Sequence, residues 1–177
     1  MFGDLKRAEI ITQSALFIAM TAVFSWISIP FVPVPMTLQT LAILLTGVVM
    51  KRYAAIPLTL YLLLGAIGLP VFSKMTAGLG VLLGPTGGYL IGFIPAAVMV
   101  GLAFESRRSL IRIAGIGIAT LIIYAFGLTW LILSTGMDPS KAVMVGMLIF
   151  LPGDIVKAAA VYLISSRLET LPRWQSH

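Results

Sequence analysis

Cysteine is absent from this chain of 177 residues, and the single histidine is the last residue. Disulfides, zinc–thiolate centres and thiol catalysis are therefore excluded, and a histidine-based active site is not expected. Charged residues are also scarce, at 10% of the chain against about 25% in an ordinary soluble domain. Because 59% of the residues are hydrophobic, the chain cannot cover a water-exposed surface with polar groups. We predict one membrane-embedded domain over residues 1–177.

Two functional classes are excluded by further absences. The sequence has no GxxxxGKS or GxxxxGKT phosphate-binding loop, and no acidic partner for magnesium accompanies its glycines. We therefore expect no ATP hydrolysis by this chain, and no bound cofactor or metal. The net charge of +6 is typical of nucleic-acid-binding proteins, but here the cations lie between apolar segments. Membrane orientation explains them better, so we predict contact with the lipid bilayer and none with nucleic acid.

Apolar runs divided by polar, glycine-rich or proline-rich turns predict an all-α integral membrane protein with a bundle of six transmembrane helices. The first helix ends where three prolines follow within residues 30–35. The second and third are short for a full span, and short segments in a membrane bundle tend to line a cavity. We expect a cavity near one membrane face. The predicted helices cover about residues 9–29, 36–50, 54–68, 85–104, 110–133 and 141–167.

The lysines and arginines predict the orientation of this bundle. With six spans, nine of the twelve fall on the side of the termini, two on the other side and one inside the membrane. Because cytoplasmic loops are enriched in these residues, we predict a multi-pass protein of the cell membrane with both termini cytoplasmic. The loops at 30–37, 69–84 and 134–140 then lie outside. The nine cytoplasmic residues are Lys6, Arg7, Lys51, Arg52, Arg107, Arg108, Arg112, Arg167 and Arg173, and the outer two are Lys74 and Lys141.

Asp154 and Lys157 are the only charges in the apolar segment from residue 142 to 166. A charge at the bilayer centre costs about 2.5–3.5 kcal/mol even on insertion scales, so such residues usually face the bundle interior. Residues three apart on a helix share a face. The pair therefore presents an acceptor and a cation together at membrane depth. It is a candidate ligand site, and a structural ion pair between helices is the alternative.

Glycine is concentrated between residues 68 and 93, where it occupies seven of 26 positions. The first helical turn of the GPTGGY motif, residues 84–89, offers free backbone N–H groups and a threonine hydroxyl, which suit an anion such as a carboxylate. Close helix packing through Gly88 and Gly92 is the alternative, and the residues leave both interpretations open. The candidate ligand contacts in this motif are Gly84, Thr86, Gly87 and Gly88.

Two shorter motifs also have both a structural and a functional interpretation. Gln39 stands with two threonines at the start of the second helix, where these polar groups either cap the helix or bind a solute. On the first helix, Ala15 and Ala19 are one turn apart and Ala22 continues their face. Small residues at this spacing let another helix approach closely, although apolar sequences produce the pattern by chance as well.

Four segments, in this order and spacing, resemble the BioY family, the biotin-binding S components of energy-coupling factor (ECF) transporters. They are PVPMTLQT (33–40), GAIGLPVF (65–72), GLGVLLGPTGGYLIGF (78–93) and LPGDIVKAAA (151–160), and the resemblance spans about residues 15–162. It implies the six-helix S-component fold with a biotin pocket near the outer face. It also implies a transmembrane coupling subunit and two ABC-type ATPases as partners. The first-helix alanines would contact the coupling subunit.

Biotin suits the charged pair chemically, because its ureido ring has N–H donors and a carbonyl acceptor. Asp154 can accept from an N–H group, while Lys157 donates to the carbonyl or steadies Asp154. In this pose the carboxylate of biotin points toward the first turn of the GPTGGY helix; in the reversed pose Lys157 holds it. The expected apolar wall comprises Tyr89, Val34 and Leu79.

Three other functions remain open at this point. The chain could be an S component for a different vitamin, such as thiamin or riboflavin. It could be an intramembrane enzyme that uses Asp154, although no second acid accompanies that residue in the apolar segments. A structural membrane scaffold is the last alternative, and it predicts no binding of a small molecule.

Overall fold

A computed structural model describes residues 2–168, which are almost entirely helical. The predicted positions of Arg173 and His177 lie outside the described residues. Two 3₁₀ turns, at Lys51–Ala54 and Ser73–Met75, and a π-helical turn at Met144–Leu148 join some of the elements. The elements are α1 (Phe2–Trp26), β1 (Ser28–Ile29), β2 (Met36–Thr37), α2 (Gln39–Met50), α3 (Ala55–Ala66), α4 (Leu79–Leu83), α5 (Gly87–Ala103), α6 (Ser109–Thr135), α7 (Pro139–Val143) and α8 (Leu151–Leu168).

In the described part of the chain, six helical segments build the bundle, namely α1, α2, α3, α5, α6 and the bent pair α7–α8. Within the described residues, three stretches are long and apolar enough to cross a membrane, and the bent pair makes a fourth. Helix α5, with 17 residues, is apolar but shorter. It packs against α2, α3 and α6, and most of its residues are buried. The three long stretches are Asp4–Trp26, Gln39–Ala66 and Ser109–Thr135.

The stretch Gln39–Ala66 consists of two helices that fold back on each other. In a straight helix, Gln39 and Tyr61 would lie about 33 Å apart, at 1.5 Å per residue. The Gln39 side-chain amide instead donates to the Tyr61 hydroxyl at 2.8 Å. The chain reverses after Met50, where Lys51 has a φ of 52° that ends the helix. Helices α2 and α3 are thus 12 residues each, as short as the sequence predicts.

Positive charge gathers at one end of the bundle, which we call the basic end. There the 51–54 turn meets the turn after α5, because Arg52 pairs with Glu105 at 3.5 Å. The start of α1 lies beside them, with the Lys6 ammonium 5.9 Å from the centre of the Tyr53 ring. Because α6 follows the turn after α5 and α8 runs back toward the same side, the arginines at the start of α6 and the end of α8 also lie at the basic end. This grouping agrees with the six alternating segments expected from the sequence.

The opposite end, which we call the loop end, carries the longer connections. The indole N–H of Trp26 donates to the Pro70 carbonyl, and that of Trp130 donates to the Gly84 carbonyl, both at 3.0 Å. The ends of α1 and α6 are thereby tied to the loop between α3 and α5. This loop was predicted as a glycine-rich coil over 69–84, but it contains the 73–75 turn and α4. As a result α5 begins at Gly87 and not at residue 85.

The proline-rich loop between α1 and α2 folds as a small antiparallel hairpin. Ser28 pairs with Thr37, and Ile29 pairs with Met36. The sequence-based boundaries were therefore wrong here, since helix was expected through residue 29 and again from residue 36. Residues 28–29 and 36–37 pair with each other through their backbone groups, so these groups do not form helical hydrogen bonds. Helix α2 therefore starts only at Gln39. The hairpin brings residues 31–37 over the loop end of the bundle.

The last segment is bent, where the sequence predicted one helix over 141–167. Asp138 caps its start by accepting a hydrogen bond from the Ser140 N–H at 2.9 Å. The segment then passes through the π-helical turn, and α7 and α8 are inclined by 41°. A π-helical turn loosens the regular bonding of the backbone, and here the Gly146 carbonyl accepts from the Tyr89 hydroxyl at 2.8 Å. The bend places Asp154 in the first turn of α8, facing the bundle interior.

Candidate ligand-binding site

A cavity of about 270 Å³ lies between the loop end and the middle of the bundle. Residues 31–37 and the 72–76 turn form its outer wall, and α2, α5, α6 and α8 supply the rest. Its size is close to the lower limit of the range of about 300–1,000 Å³ for small-molecule sites. Apolar and aromatic groups form most of the cavity surface, and polar side chains are interspersed among them. The cavity therefore fits a compact, largely apolar molecule with polar groups at defined points.

The charged pair predicted from the sequence lies at the inner end of this cavity. The Lys157 ammonium is 2.9 Å from Oδ1 of Asp154, and the two side chains are only 11% and 10% exposed. Lys157 also donates to the Thr37 carbonyl at 2.7 Å and to the Thr40 hydroxyl at 3.0 Å. An ammonium group has three N–H donors. All three are therefore used within the protein.

Asp154 is held by three donors from three different helices. Besides Lys157, the Thr40 hydroxyl approaches Oδ1 at 3.2 Å, and the Tyr124 hydroxyl donates to Oδ2 at 2.5 Å. A carboxylate offers about four lone-pair positions to donors. Among the donors of residues 2–168, one acceptor position thus remains for a group on a ligand. The network holds the carboxylate in one orientation at the cavity wall, which favours recognition of an N–H donor.

Four of the predicted ligand contacts other than the charged pair also line the cavity: Val34, Gln39, Thr86 and Tyr89. Gln39 is 4% exposed and is engaged with Tyr61, which in turn donates to the Val71 carbonyl at 2.8 Å. The Tyr89 hydroxyl is engaged as well, by its bond to Gly146. The Gln39 amide nitrogen and the Tyr89 hydroxyl therefore tie elements of the bundle together at the cavity wall.

The other four predicted contacts, Gly84, Gly87, Gly88 and Leu79, lie outside the cavity wall. A Cβ atom at Gly88 would come within 2.2 Å of the Trp130 Cβ and 2.4 Å of the Phe126 carbonyl oxygen. One at Gly87 would lie 1.7 Å from the Leu82 carbonyl oxygen. These glycines are thus positioned for close packing, the alternative that the sequence left open. Contact between a ligand and any of the four stays an untested prediction.

Leu79 is displaced from the site by the shape of the 69–84 loop. It begins α4 and is 61% exposed, so its side chain faces away from the cavity. Aromatic side chains that the sequence did not single out take its place in the wall, including Phe72, Phe93 and Phe150. Thr40 and Tyr124 were also missed as partners of Asp154. The hydroxyl of Tyr124 in the middle of the apolar stretch of α6 was the sequence signal for it.

Comparison with known proteins identifies the family of this chain. The sequence model of the BioY family matches residues 3–173. The chain belongs to the BioY family. Among its relatives, the "Biotin transporter BioY" of Thermotoga maritima is 42% identical over 161 residues, covering 90% of this chain and 95% of the relative. The "Probable biotin transporter BioY" of Pyrococcus horikoshii is 38% identical over 164 residues, covering 92% and 98%.

A solved structure shows that this BioY-family chain also shares a known fold. It is the crystal structure, at 2.1 Å, of the S-component for biotin from an ECF-type ABC transporter. The TM-score is 0.84 with 26% sequence identity, and the match covers 94% of this chain and 93% of the other. The prediction of a helical membrane bundle with the S-component fold is therefore confirmed.

The predicted partner face of this BioY-family chain is smaller than the sequence suggested. Ala15 and Ala19 are exposed on α1, whereas Ala22 is only 7% exposed. The 70–72 segment covers this end of the helix, since the Ser25 hydroxyl donates to the Val71 carbonyl at 2.7 Å. Ala22 is therefore a packing residue inside the bundle. The exposed small-residue surface is limited to Ala15 and Ala19.

Proposed function

We propose that this chain is the biotin-binding S component of an ECF-type vitamin uptake transporter and has no catalytic activity of its own. The observation that carries the proposal is the cavity in a BioY-family bundle, with Asp154 fixed at its inner end and one acceptor position left open. An N–H group of the biotin ureido ring fits that position as a hydrogen-bond donor. Lys157 holds the carboxylate in position through a charge-assisted hydrogen bond, and its other two donors are occupied by Thr37 and Thr40.

The apolar remainder of biotin matches the remainder of the cavity. Its sulfur-containing ring and alkyl chain would lie against aromatic and aliphatic side chains, where van der Waals contact is favourable. Tyr89 and Val34, which line the cavity, would supply part of this contact, and Phe72 and Phe93 would extend it. Biotin serves here as the transported ligand, and the chain needs no cofactor or metal.

In the membrane, the loop end would face outward and the basic end the cytoplasm. This orientation is supported by the excess of Lys and Arg at the basic end, which follows the positive-inside rule. Both termini are then cytoplasmic, in a multi-pass protein of the cell membrane. The cavity would receive biotin from outside, through the 31–37 and 72–76 segments.

Energy for uptake would come from partner proteins, because the chain contains no nucleotide-binding motif. We propose a transmembrane coupling subunit and two ABC-type ATPases as these partners. The exposed pair Ala15 and Ala19 would let a helix of the coupling subunit approach α1 closely.

Reconstituted vesicles provide a test of this assembly. With the coupling subunit and both ATPases present, labelled biotin should accumulate only when ATP is supplied. Replacing Ala15 by tryptophan should lower uptake at least about fivefold without changing biotin binding, because a bulky side chain separates the two helices. Leu121→Trp is the matched control, since Leu121 is 59% exposed on a different helix, α6. Equal uptake by both variants, or ATP-independent accumulation, would contradict the proposed partner arrangement.

A further inference from the structure

The turn from Phe72 to Thr76 forms part of the outer cavity wall and has an unusual backbone. Lys74 and the following Met75 both have a φ of 58°, in the left-handed region that residues other than glycine rarely adopt. The Phe72 N–H donates to the Thr76 carbonyl at 3.1 Å, and the Thr76 N–H donates to the Ser73 carbonyl at 3.2 Å. These bonds close the turn and hold the strained residues. Strain of this kind is concentrated at ligand-binding and other functional sites.

The turn is also anchored to the bundle. The Phe72 side chain is 1% exposed, and its ring fills the space that a side chain at Gly65 would occupy, 2.1 Å from the position of an added Cβ. It also meets the Tyr61 ring edge-on, with 5.6 Å between the ring centres. The position of the next residues is therefore fixed before any ligand binds, which lowers the entropy cost of binding.

Ser73 and Lys74 of this turn both lie in the cavity wall, and each carries a polar group. The Ser73 hydroxyl oxygen is buried and makes no hydrogen bond within residues 2–168. A buried hydroxyl without a partner is costly, so its presence at a cavity wall points to a ligand. Lys74 lines the same part of the wall, and no carboxylate of the described residues pairs with it. Together they form an electropositive, hydrogen-bonding corner.

The inner end of the cavity is less suited to bind an anionic group than the corner formed by Ser73 and Lys74. All three N–H donors of Lys157 are used by protein acceptors, and Asp154 would repel a second carboxylate. The first turn of α5 is no better placed, because neither Gly87 nor Gly88 lines the cavity and the Gly87 N–H already donates to the Gly84 carbonyl. The cavity thus has the Asp154 carboxylate as an acceptor at its inner end. At its outer end it has the Lys74 ammonium and the Ser73 hydroxyl, which has no partner within residues 2–168.

We infer that Ser73 and Lys74 bind the carboxylate of the ligand, while its neutral hydrogen-bonding ring contacts Asp154. This inference rests on the proposed function, and it selects one of the two biotin poses that the sequence left open. It also replaces the first turn of α5 as the predicted carboxylate site. The two residues then make the site selective for ligands with a free acid at the outer end.

The test compares biotin with its primary amide, biotinamide, on the purified chain in detergent. Lys74→Met should lower the affinity for biotin about tenfold, because a charge-assisted hydrogen bond is lost. It should change the affinity for the amide less than threefold, since the amide carries no charge. Lys74→Arg should restore most of the affinity for biotin. Ser73→Ala should also lower the affinity for biotin more than the affinity for biotinamide.

Lys141→Met serves as the matched control, because Lys141 is exposed at the loop end but lies outside the cavity wall. Unchanged biotin affinity in Lys74→Met would overturn the inference, and so would equal losses for acid and amide. Failure of the proposed function itself has a different signature, in which the wild-type chain binds neither compound.

Discussion

Replacing Asp154 by asparagine should lower biotin affinity by at least about 30-fold. The side chain keeps its size but loses the charge that makes its hydrogen bonds strong, and a hydrogen bond to a charged group contributes about 1.5–3 kcal/mol. The change also leaves the Lys157 ammonium without a counter-ion in a site where it is only 11% exposed. Equilibrium binding of labelled biotin to the purified chain in detergent measures the effect.

A double variant separates recognition of biotin from a purely structural ion pair. If Asp154 and Lys157 only stabilise the bundle, Asp154→Asn combined with Lys157→Met should restore binding, because no buried charge is left unpaired. If Asp154 accepts a hydrogen bond from biotin, the double variant should recover thermal stability but not affinity. We expect the second result, since the cavity wall exposes the carboxylate to the ligand.

Two control variants complete this experiment. Asp138→Asn makes the same chemical change at the start of α7, where asparagine caps a helix as well as aspartate does, so affinity should not change. Tyr124→Phe removes one of the three donors to Asp154 and should cause a smaller loss, of about three- to tenfold. Biotin affinity within threefold of the wild type in Asp154→Asn would show that the charged pair is not the anchor.

The substitution Gly88→Ala should destabilise the protein strongly. The added methyl group would overlap the Trp130 Cβ and the Phe126 carbonyl oxygen, so α5 and α6 must separate. Overpacking of this kind costs typically about 1–3 kcal/mol. In a chain of this size, that corresponds to a decrease in Tm of about 3–10 °C. Thermal unfolding in detergent, followed by loss of the monodisperse peak on size exclusion, measures the change.

Gly117→Ala is the matched control for Gly88→Ala. Gly117 lies in α6, where an added Cβ would meet no described atom within 4 Å. Alanine favours the helix over glycine, so Tm should stay the same or rise. If Gly88 contacts the ligand and does not pack, Gly88→Ala would instead lower biotin affinity while leaving Tm unchanged. That outcome would contradict the packing role that the structure supports.

The charged pair was predictable because it is a local feature with a large energetic cost. Asp154 and Lys157 are one helical turn apart, and charges in an apolar segment have few acceptable positions. Their partners were not predictable in the same way. Thr40 is 114 residues from Asp154 and Tyr124 is 30 residues away, and only the packing of α2 and α6 against α8 brings their hydroxyls to the carboxylate. Sequence spacing contains no information on such contacts.

The glycine-rich segment shows a second limit of sequence reasoning. Glycine permits close approach of a ligand or of another helix, and the same GPTGGY residues suit both. The structure resolves this at Gly88 through the side chains of α6, which lie more than thirty residues away along the chain. The end of α1 and the start of α2 were predicted wrongly for a related reason. Pairing between residues 28–29 and 36–37 depends on how the proline loop folds back, which no single residue indicates.

The decisive experiment is titration of biotin into the purified, ligand-free chain without any partner protein. We expect saturable binding of one biotin per chain that excess thiamin or riboflavin does not displace. A folded, monodisperse sample that does not bind biotin, or one from which either other vitamin displaces it at equal concentration, would contradict the proposed function.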